Sequence, residues 1–247
     1  MEVSEYKNIY KNESSHFYYV ANHDFFLSRV RDLRTKNRRL LKILDAGCGT
    51  GLLAKKLGEF GDVVGVDIDK QAVFYSKKRG VKVKKASVNR LPFASKIFDI
   101  VTCMDVLYHK RVNDKKALSE MYRVLKPGGI FLLRVPANPI LFSTHDRFVH
   151  GRQRYTKSEL LKKLTQAGFK VRKITYVNSV LFFPTLAKVI FEKIKKSHDA
   201  RSGIKPVPNF INQTIIFLLG IENLLIKRVI LPFGIGLFAV AKKQKNP

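Results

Sequence analysis

The stretch Leu-Leu-Lys-Ile-Leu-Asp-Ala-Gly-Cys-Gly-Thr-Gly at residues 40–51 constrains this chain more than any other. A short apolar run ends in an acid, and three glycines follow at alternate positions. Leu40, Leu41, Ile43 and Leu44 make a run of strand length, and Leu52, Leu53, Ala54 and Leu57 recur at helical spacing. The glycines therefore fall at a strand-to-helix turn. Glycine at these positions lets the backbone take positive φ and lets a ligand approach with no Cβ in the way.

The spacing is GxGxG, not the dinucleotide pattern GxGxxG, and Asp45 stands two residues before Gly47, which argues against a pyrophosphate cradle. A second apolar run, Val63 to Ile68, carries Asp67 near its end. That acid lies roughly 20 residues past the glycines, where the carboxylate of a second strand accepts hydrogen bonds from ribose hydroxyls. With these features the chain resembles the class I S-adenosylmethionine (SAM)-dependent methyltransferases. The resemblance implies that the glycine loop passes under the amino-acid part of SAM and that Asp67 holds the ribose. The cofactor set it implies is Asp45, Gly47, Cys48, Gly49, Gly51, Asp67, Ile68, Ser87, Val88 and Met104. The family commonly has an aspartate at the position of Ser87 to receive the adenine amino group. In this chain that contact is weakened or passes to a neighbour such as the Val88 backbone.

At 247 residues the chain has room for one α/β domain with an insertion. The expected division is an N-terminal helical cap at 1–39, a SAM-binding core at 40–177, a helical insertion or lid at 178–234, and a last strand and tail at 235–247. Cys48 and Cys103 end predicted core strands, read as buried small hydrophobes in a reducing, cytoplasmic setting. The N-terminus lacks the pattern of a signal peptide, and no apolar run reaches the length of a membrane span. The formal charge of +28 and pI near 10.2 attract polyanions and anionic bilayer surfaces. SAM is itself a cation, so this charge bears on the methyl acceptor or on where the chain works, and peripheral contact with an anionic membrane is expected.

Along the chain, residues 14–40 read as one or two helices before the sheet. Their aromatic cluster, His16 to Tyr19, is similar to an aromatic entry segment of a subset of these methyltransferases and is read as packing on the outer helix layer, with direct substrate contact the less favoured alternative. A helix from Lys70 to Arg79 and a strand from Val81 to Ala86 follow the second strand, and Phe98 to Cys103 makes the fourth. A helix from Asp114 to Leu125 is broken by Lys-Pro-Gly-Gly before strand five at Ile130–Leu133. Thr156 and Glu159 form a capping box for the next helix, and Gly168 closes it. Strand six spans Lys170–Val177 and strand seven Gly236–Ala241, separated by two apolar helical runs, the second from Phe210 to Ile226. The fold expected is a Rossmann-like, seven-stranded, mostly parallel sheet with helices on both faces.

Methyl transfer from a sulfonium is an in-line displacement, so the protein must align the acceptor and exclude water. A hydroxyl acceptor needs a base, and the candidates are His109, His145 and His150. Tyr108, Arg152, Arg154 and Tyr155 form the expected substrate side, its arginines suited to an anionic acceptor or, equally, to ion pairs that fix a structural loop. A small-molecule, lipid-linked or glycan-linked acceptor is the leading reading, and no metal-ligand spacing occurs. Charge alone raises an RNA methyltransferase as the alternative, and a catalytically inactive interaction protein of the same fold is another. Nucleic acid is the less favoured partner, because Cys103-Met104-Asp105-Val106 at the end of strand four lacks the Asn/Asp-Pro-Pro-aromatic pattern of base-amino methyltransferases.

Overall fold

A computed structural model describes residues 2–37, 40–195 and 202–244. Residues 1, 38, 39, 196–201 and 245–247, which fall in the expected cap, insertion and tail, lie outside the described residues. The strands are β1 (Leu41–Ala46), β2 (Gly61–Asp67), β3 (Val83–Lys85), β4 (Phe98–Met104), β5 (Leu125–Pro136), β6 (Phe169–Val177) and β7 (Gly236–Lys243). They form one sheet in the order β3-β2-β1-β4-β5-β7-β6. β7 runs antiparallel to both neighbours, and the remaining pairs are parallel. The helices are α1 (Val3–Asn12), α2 (Phe17–Asn37), α3 (Leu52–Leu57), α4 (Lys70–Lys78), α5 (Asp114–Val124), α6 (Thr144–Phe148), α7 (Lys157–Gln166), α8 (Phe182–Ile194) and α9 (Asn209–Leu225).

The central strands are apolar on both faces, as a sheet covered on both sides requires. In β1, Leu41 and Ile43 join one core cluster while Leu44 and Ala46 join the other, and β5 divides Ile130 and Leu132 from Phe131, Leu133 and Val135 in the same way. Phe25, Phe26 and Val30 of α2 cover the first face, with Phe26 packed edge-on against Phe238 at 5.2 Å between ring centres. α9 is strapped to α2 by Asn212, whose Oδ1 accepts the Phe17 N–H at 2.8 Å and whose Nδ2 donates to the Ser15 carbonyl at 2.9 Å.

Several expected boundaries shift. Leu40 is exposed and precedes β1, because pairing with β2 starts at Leu41. Lys-Pro-Gly-Gly lies inside β5, which begins at Leu125 opposite Phe98 and absorbs the turn as a register irregularity, with Lys126 Nζ ion-paired to Asp99 at 2.9 Å. Lys242 and Lys243 extend β7, with Lys243 Nζ donating to the Tyr122 carbonyl at 2.7 Å. α1 carries no separate sign of its own in the sequence. It docks on α4 through Tyr10, which stacks on Tyr75 at 4.7 Å and lies under the Arg79 guanidinium at 4.2 Å.

β1 lies where the strand order reverses, so the carboxyl ends of β1 and β4 flank the crevice in which open α/β sheets bind ligands. Fully buried Phe26 anchors α2 to this sheet, and Phe26→Ala is expected to cost about 3–5 kcal/mol in urea unfolding. A loss under 1 kcal/mol, well short of that ~3 kcal/mol floor, would show that α2 is not part of the core.

Candidate active site

The loop after β1 is shaped by its glycines. Gly47, Gly49 and Gly51 have φ of +79°, +55° and +86°. A Cβ on Gly51 would stand 2.9 Å from Ser76 Cα, whereas one on Gly49 would meet nothing within 4 Å and project into open space. Asp67, at the end of β2, grips this loop: its Oδ2 accepts the Gly49 N–H at 3.0 Å, and its Oδ1 accepts the Asp69 N–H at 3.0 Å. Burial pushes the Asp67 carboxyl up to about 6, against these hydrogen bonds.

Asp45, at the end of β1, accepts the Thr102 hydroxyl at 2.8 Å through Oδ1, while its buried Oδ2 has no partner. Burial raises its pKa to about 7. A buried carboxylate oxygen without a donor is costly unless a ligand supplies one.

These groups open onto a cavity of about 400 Å³, within the range of small-molecule sites. Of the expected cofactor set, Asp45, Gly47, Cys48, Gly49, Asp67, Ile68, Ser87, Val88 and Met104 all line it, while Gly51 shapes the loop behind. Ser87 Oγ accepts the Asn89 N–H at 3.2 Å, so it already has a partner. Tyr108, His109, His145 and His150 line the same cavity.

The three histidines differ in chemistry. A ring N–H of His109 donates to the Val149 carbonyl, which fixes the tautomer and leaves the other nitrogen as an acceptor. Burial lowers its pKa to about 4, so it is neutral near pH 7. His145 Nδ1 accepts the Gly203 N–H at 2.9 Å, which assigns its proton to Nε2 and leaves Nε2–H as its donor. His150 is half-exposed and its Nε2 lies 2.9 Å from Glu2, so it belongs to the rim.

Three expected substrate residues are not at the cavity. Arg154 and Asp146 form a buried ion pair at 3.0 Å, Arg152 binds Asp114 at 2.6 Å, and the Tyr155 hydroxyl donates to the Leu107 carbonyl at 3.1 Å. Their charges and hydroxyl are consumed in fixing the loop after β5. Among the described residues, Lys110 and Arg111 are the lysine and arginine that line the cavity.

The structure adds residues that sequence reasoning missed. Tyr18 and Tyr19, expected on the outer layer, line the cavity, and the Tyr18 hydroxyl donates to Asp105 Oδ2 at 2.9 Å. Asp105 has φ of +53° and pairs with Arg134, which is 1% exposed. A lone arginine in the apolar run Phe-Leu-Leu-Arg-Val was the visible signal. From α1 and its C-cap come Tyr6, whose hydroxyl donates to Asp69, and Glu13, which accepts the Thr50 hydroxyl and pairs with Arg79 at 2.6 Å. Among the described residues no cluster of ligands suits a metal ion.

The residues present fit S-adenosylmethionine. The unpartnered Asp45 oxygen suits an ammonium, the space over Gly49 admits a ligand against the backbone, and Asp67 keeps lone pairs facing the cavity. Comparison with known proteins points the same way. A methyltransferase-domain family matches residues 44–133. An uncharacterised protein of Methanocaldococcus jannaschii is 31% identical over 154 residues, 62% of this chain and 64% of that protein. A ubiquinone biosynthesis O-methyltransferase of Idiomarina loihiensis is 30% identical over 173 residues, 62% of this chain and 70% of that enzyme. The chain thus spans under two thirds of the first relative and little more of the second. In fold, a SAM-dependent methyltransferase from Thermotoga maritima superposes with a TM-score of 0.58 over 98% of this chain and 96% of that one, at 18% identity. The glycine loop, the two acids at the switch point and these likenesses agree, and the chain belongs to the class I SAM-dependent methyltransferases.

Proposed function

We propose that the chain transfers a methyl group from SAM to a small-molecule acceptor, anionic and lipid- or glycan-linked, and works in peripheral contact with an anionic membrane. The division into cap, core, insertion and last strand serves one methyltransferase domain in this reading. The observation that carries it is one cavity lined both by Asp45, Gly49 and Asp67 and by Tyr108, His109 and His145. SAM when bound supplies an electrophilic methyl group. Asp45 Oδ2 takes the ammonium, Asp67 accepts the ribose hydroxyls, and α1 closes over the site with Tyr6, which excludes water. His109 takes the proton of an acceptor hydroxyl at its free ring nitrogen, and His145 donates to the acceptor through Nε2–H. Lys110 and Arg111 offer positive charge to an anionic acceptor.

Titration calorimetry tests the cofactor end. Wild type is expected to bind SAM and S-adenosylhomocysteine, Gly49→Val to abolish binding, and Asp67→Ala to weaken it roughly 10- to 100-fold with unchanged circular dichroism. Unchanged affinity in Asp67→Ala would remove the ribose assignment, and no binding by wild type would move the reading to an interaction protein.

The raised pKa of Asp45 sets the pH dependence. Between its ordinary 3.8 and about 7 the folded chain binds a proton that the unfolded chain does not. Stability of the unliganded protein from this group is therefore present at low pH and lost as pH rises through about 7. Ligand affinity has the opposite sign, because the ionised form holds the ammonium. Affinity for SAM is expected to rise about tenfold per pH unit up to about 7 and then level off, and Asp45→Asn to remove that slope. A flat profile in wild type would contradict the assignment.

At the acceptor end, His109→Gln is expected to lower kcat by about 10²–10⁴-fold on a hydroxyl acceptor found by screening, with SAM affinity unchanged. A fall of less than threefold in kcat would exclude His109 as the base.

A further inference from the structure

The insertion carries an apolar surface that is left exposed among the described residues. On α9, Phe210, Phe217, Ile221 and Leu224 recur at helical spacing and are exposed, Phe210 at 82% and both Phe217 and Leu224 at 67%. The opposite side of the same helix holds Asn212, Leu219 and Glu222, all buried against the body of the protein. α8 repeats the arrangement: Phe183, Ile190, Phe191 and Ile194 are exposed while Val189 is buried. At 100° per residue, Lys188 and Lys195 fall along one edge of the α8 stripe and Lys193 along the other. Lys227 and Arg228 follow the end of α9, both exposed.

We infer that α8 and α9 form an interfacial docking face for a bilayer with anionic headgroups. The inference rests on the proposed membrane contact and names the surface and chemistry that make it. Neither helix crosses a bilayer, since no described helix is long and apolar enough. Each can lie in the headgroup region with its apolar stripe down and its lysines reaching phosphates. A second copy of the chain is the poorer occupant, because a +28 protein brings lysine-edged stripes against lysine-edged stripes. A bilayer offers hydrocarbon beneath the stripe and negative charge at both of its edges.

The two helices are also tied to the rim of the cavity. In the segment leading into α9, Ile204 lines the cavity, the Gly203 N–H donates to His145, and the Ser202 hydroxyl donates to Glu5 of α1 at 2.8 Å. Docking through α8 and α9 brings this rim to the lipid surface. The acceptor class that fits is a lipid-borne molecule whose head reaches the cavity while its tail stays in the bilayer.

Sedimentation of the full chain with phosphatidylcholine vesicles, with and without phosphatidylserine, tests the surface. Binding to the anionic vesicles is expected, lost in Phe217→Asp/Leu224→Asp and weakened on the order of fivefold per lysine in Lys188→Gln/Lys193→Gln/Lys195→Gln. SAM affinity, read in parallel by calorimetry, is expected to stay at the wild-type value, so loss of docking and loss of the methyl-transfer reading are separate results. A bimane label on Phe217→Cys, selective because Cys48 and Cys103 are buried, is expected to shift blue with anionic vesicles. Negligible sedimentation of wild type, binding indifferent to the aspartates, equal binding to both vesicle types, no blue shift, or a stable dimer hiding the label without lipid would each overturn the inference.

Discussion

The ion pair between Arg134 and Asp105 holds the chemical edge of this protein together. Arg134 sits near the carboxyl end of β5, fully buried, and its guanidinium also donates to the Tyr18 hydroxyl at 3.0 Å and to Asn178 Oδ1 at 2.8 Å. One side chain thus joins α2, β4, β5 and the start of the insertion. A buried charge is tolerated only when its partners are complete, and removing one partner of such a pair costs about 3–5 kcal/mol. The left-handed backbone at Asp105 is held by this pairing, and that backbone starts the turn carrying Tyr108 and His109 into the cavity.

The same network reaches into the insertion. Asn178 adopts a left-handed conformation, with φ of +58°. Its N–H and that of Ser179 both donate to the Glu222 carboxylate of α9, the second at 2.7 Å. Glu222 is pushed above the usual carboxylate range by burial, and these N–H groups act against that push. The inward side of α9 is therefore polar and specific where it meets the core, while its outward side exposes Phe210, Phe217, Ile221 and Leu224. A helix with two such sides is positioned by the first and left free to use the second.

What could be read from the sequence was what is local. Leu41 to Ala46, the glycines and Asp67 carry their own geometry, because alternation, turn chemistry and strand length act over a few residues. The seven strands and most helices followed from the same signals. The rest depended on partners distant in sequence. Arg152 and Arg154 look like an anion site along the chain, and only the fold brings Asp114 and Asp146 against them. α1 has few apolar residues, and its place over the cavity depends on Tyr10 meeting Tyr75 and Arg79. His109 and His145 were both visible as histidines, but their tautomers, on which the roles proposed for them rest, come from the carbonyl of Val149 and the N–H of Gly203.

Charge shows the same division between composition and place. The chain is strongly basic, yet six of its 19 acidic residues line the one cavity described: Glu5, Glu13, Asp45, Asp67, Asp69 and Asp105. Surface lysines act through water, where salt damps their field within about 8 Å. Acids lining a cavity set into the low-dielectric body of the protein act on its contents with less screening. A cationic ligand is therefore drawn by the cavity and an anionic surface by the exterior, with no conflict between them. Under the proposed membrane contact, that separation would let one molecule face a negatively charged bilayer without losing its hold on a sulfonium.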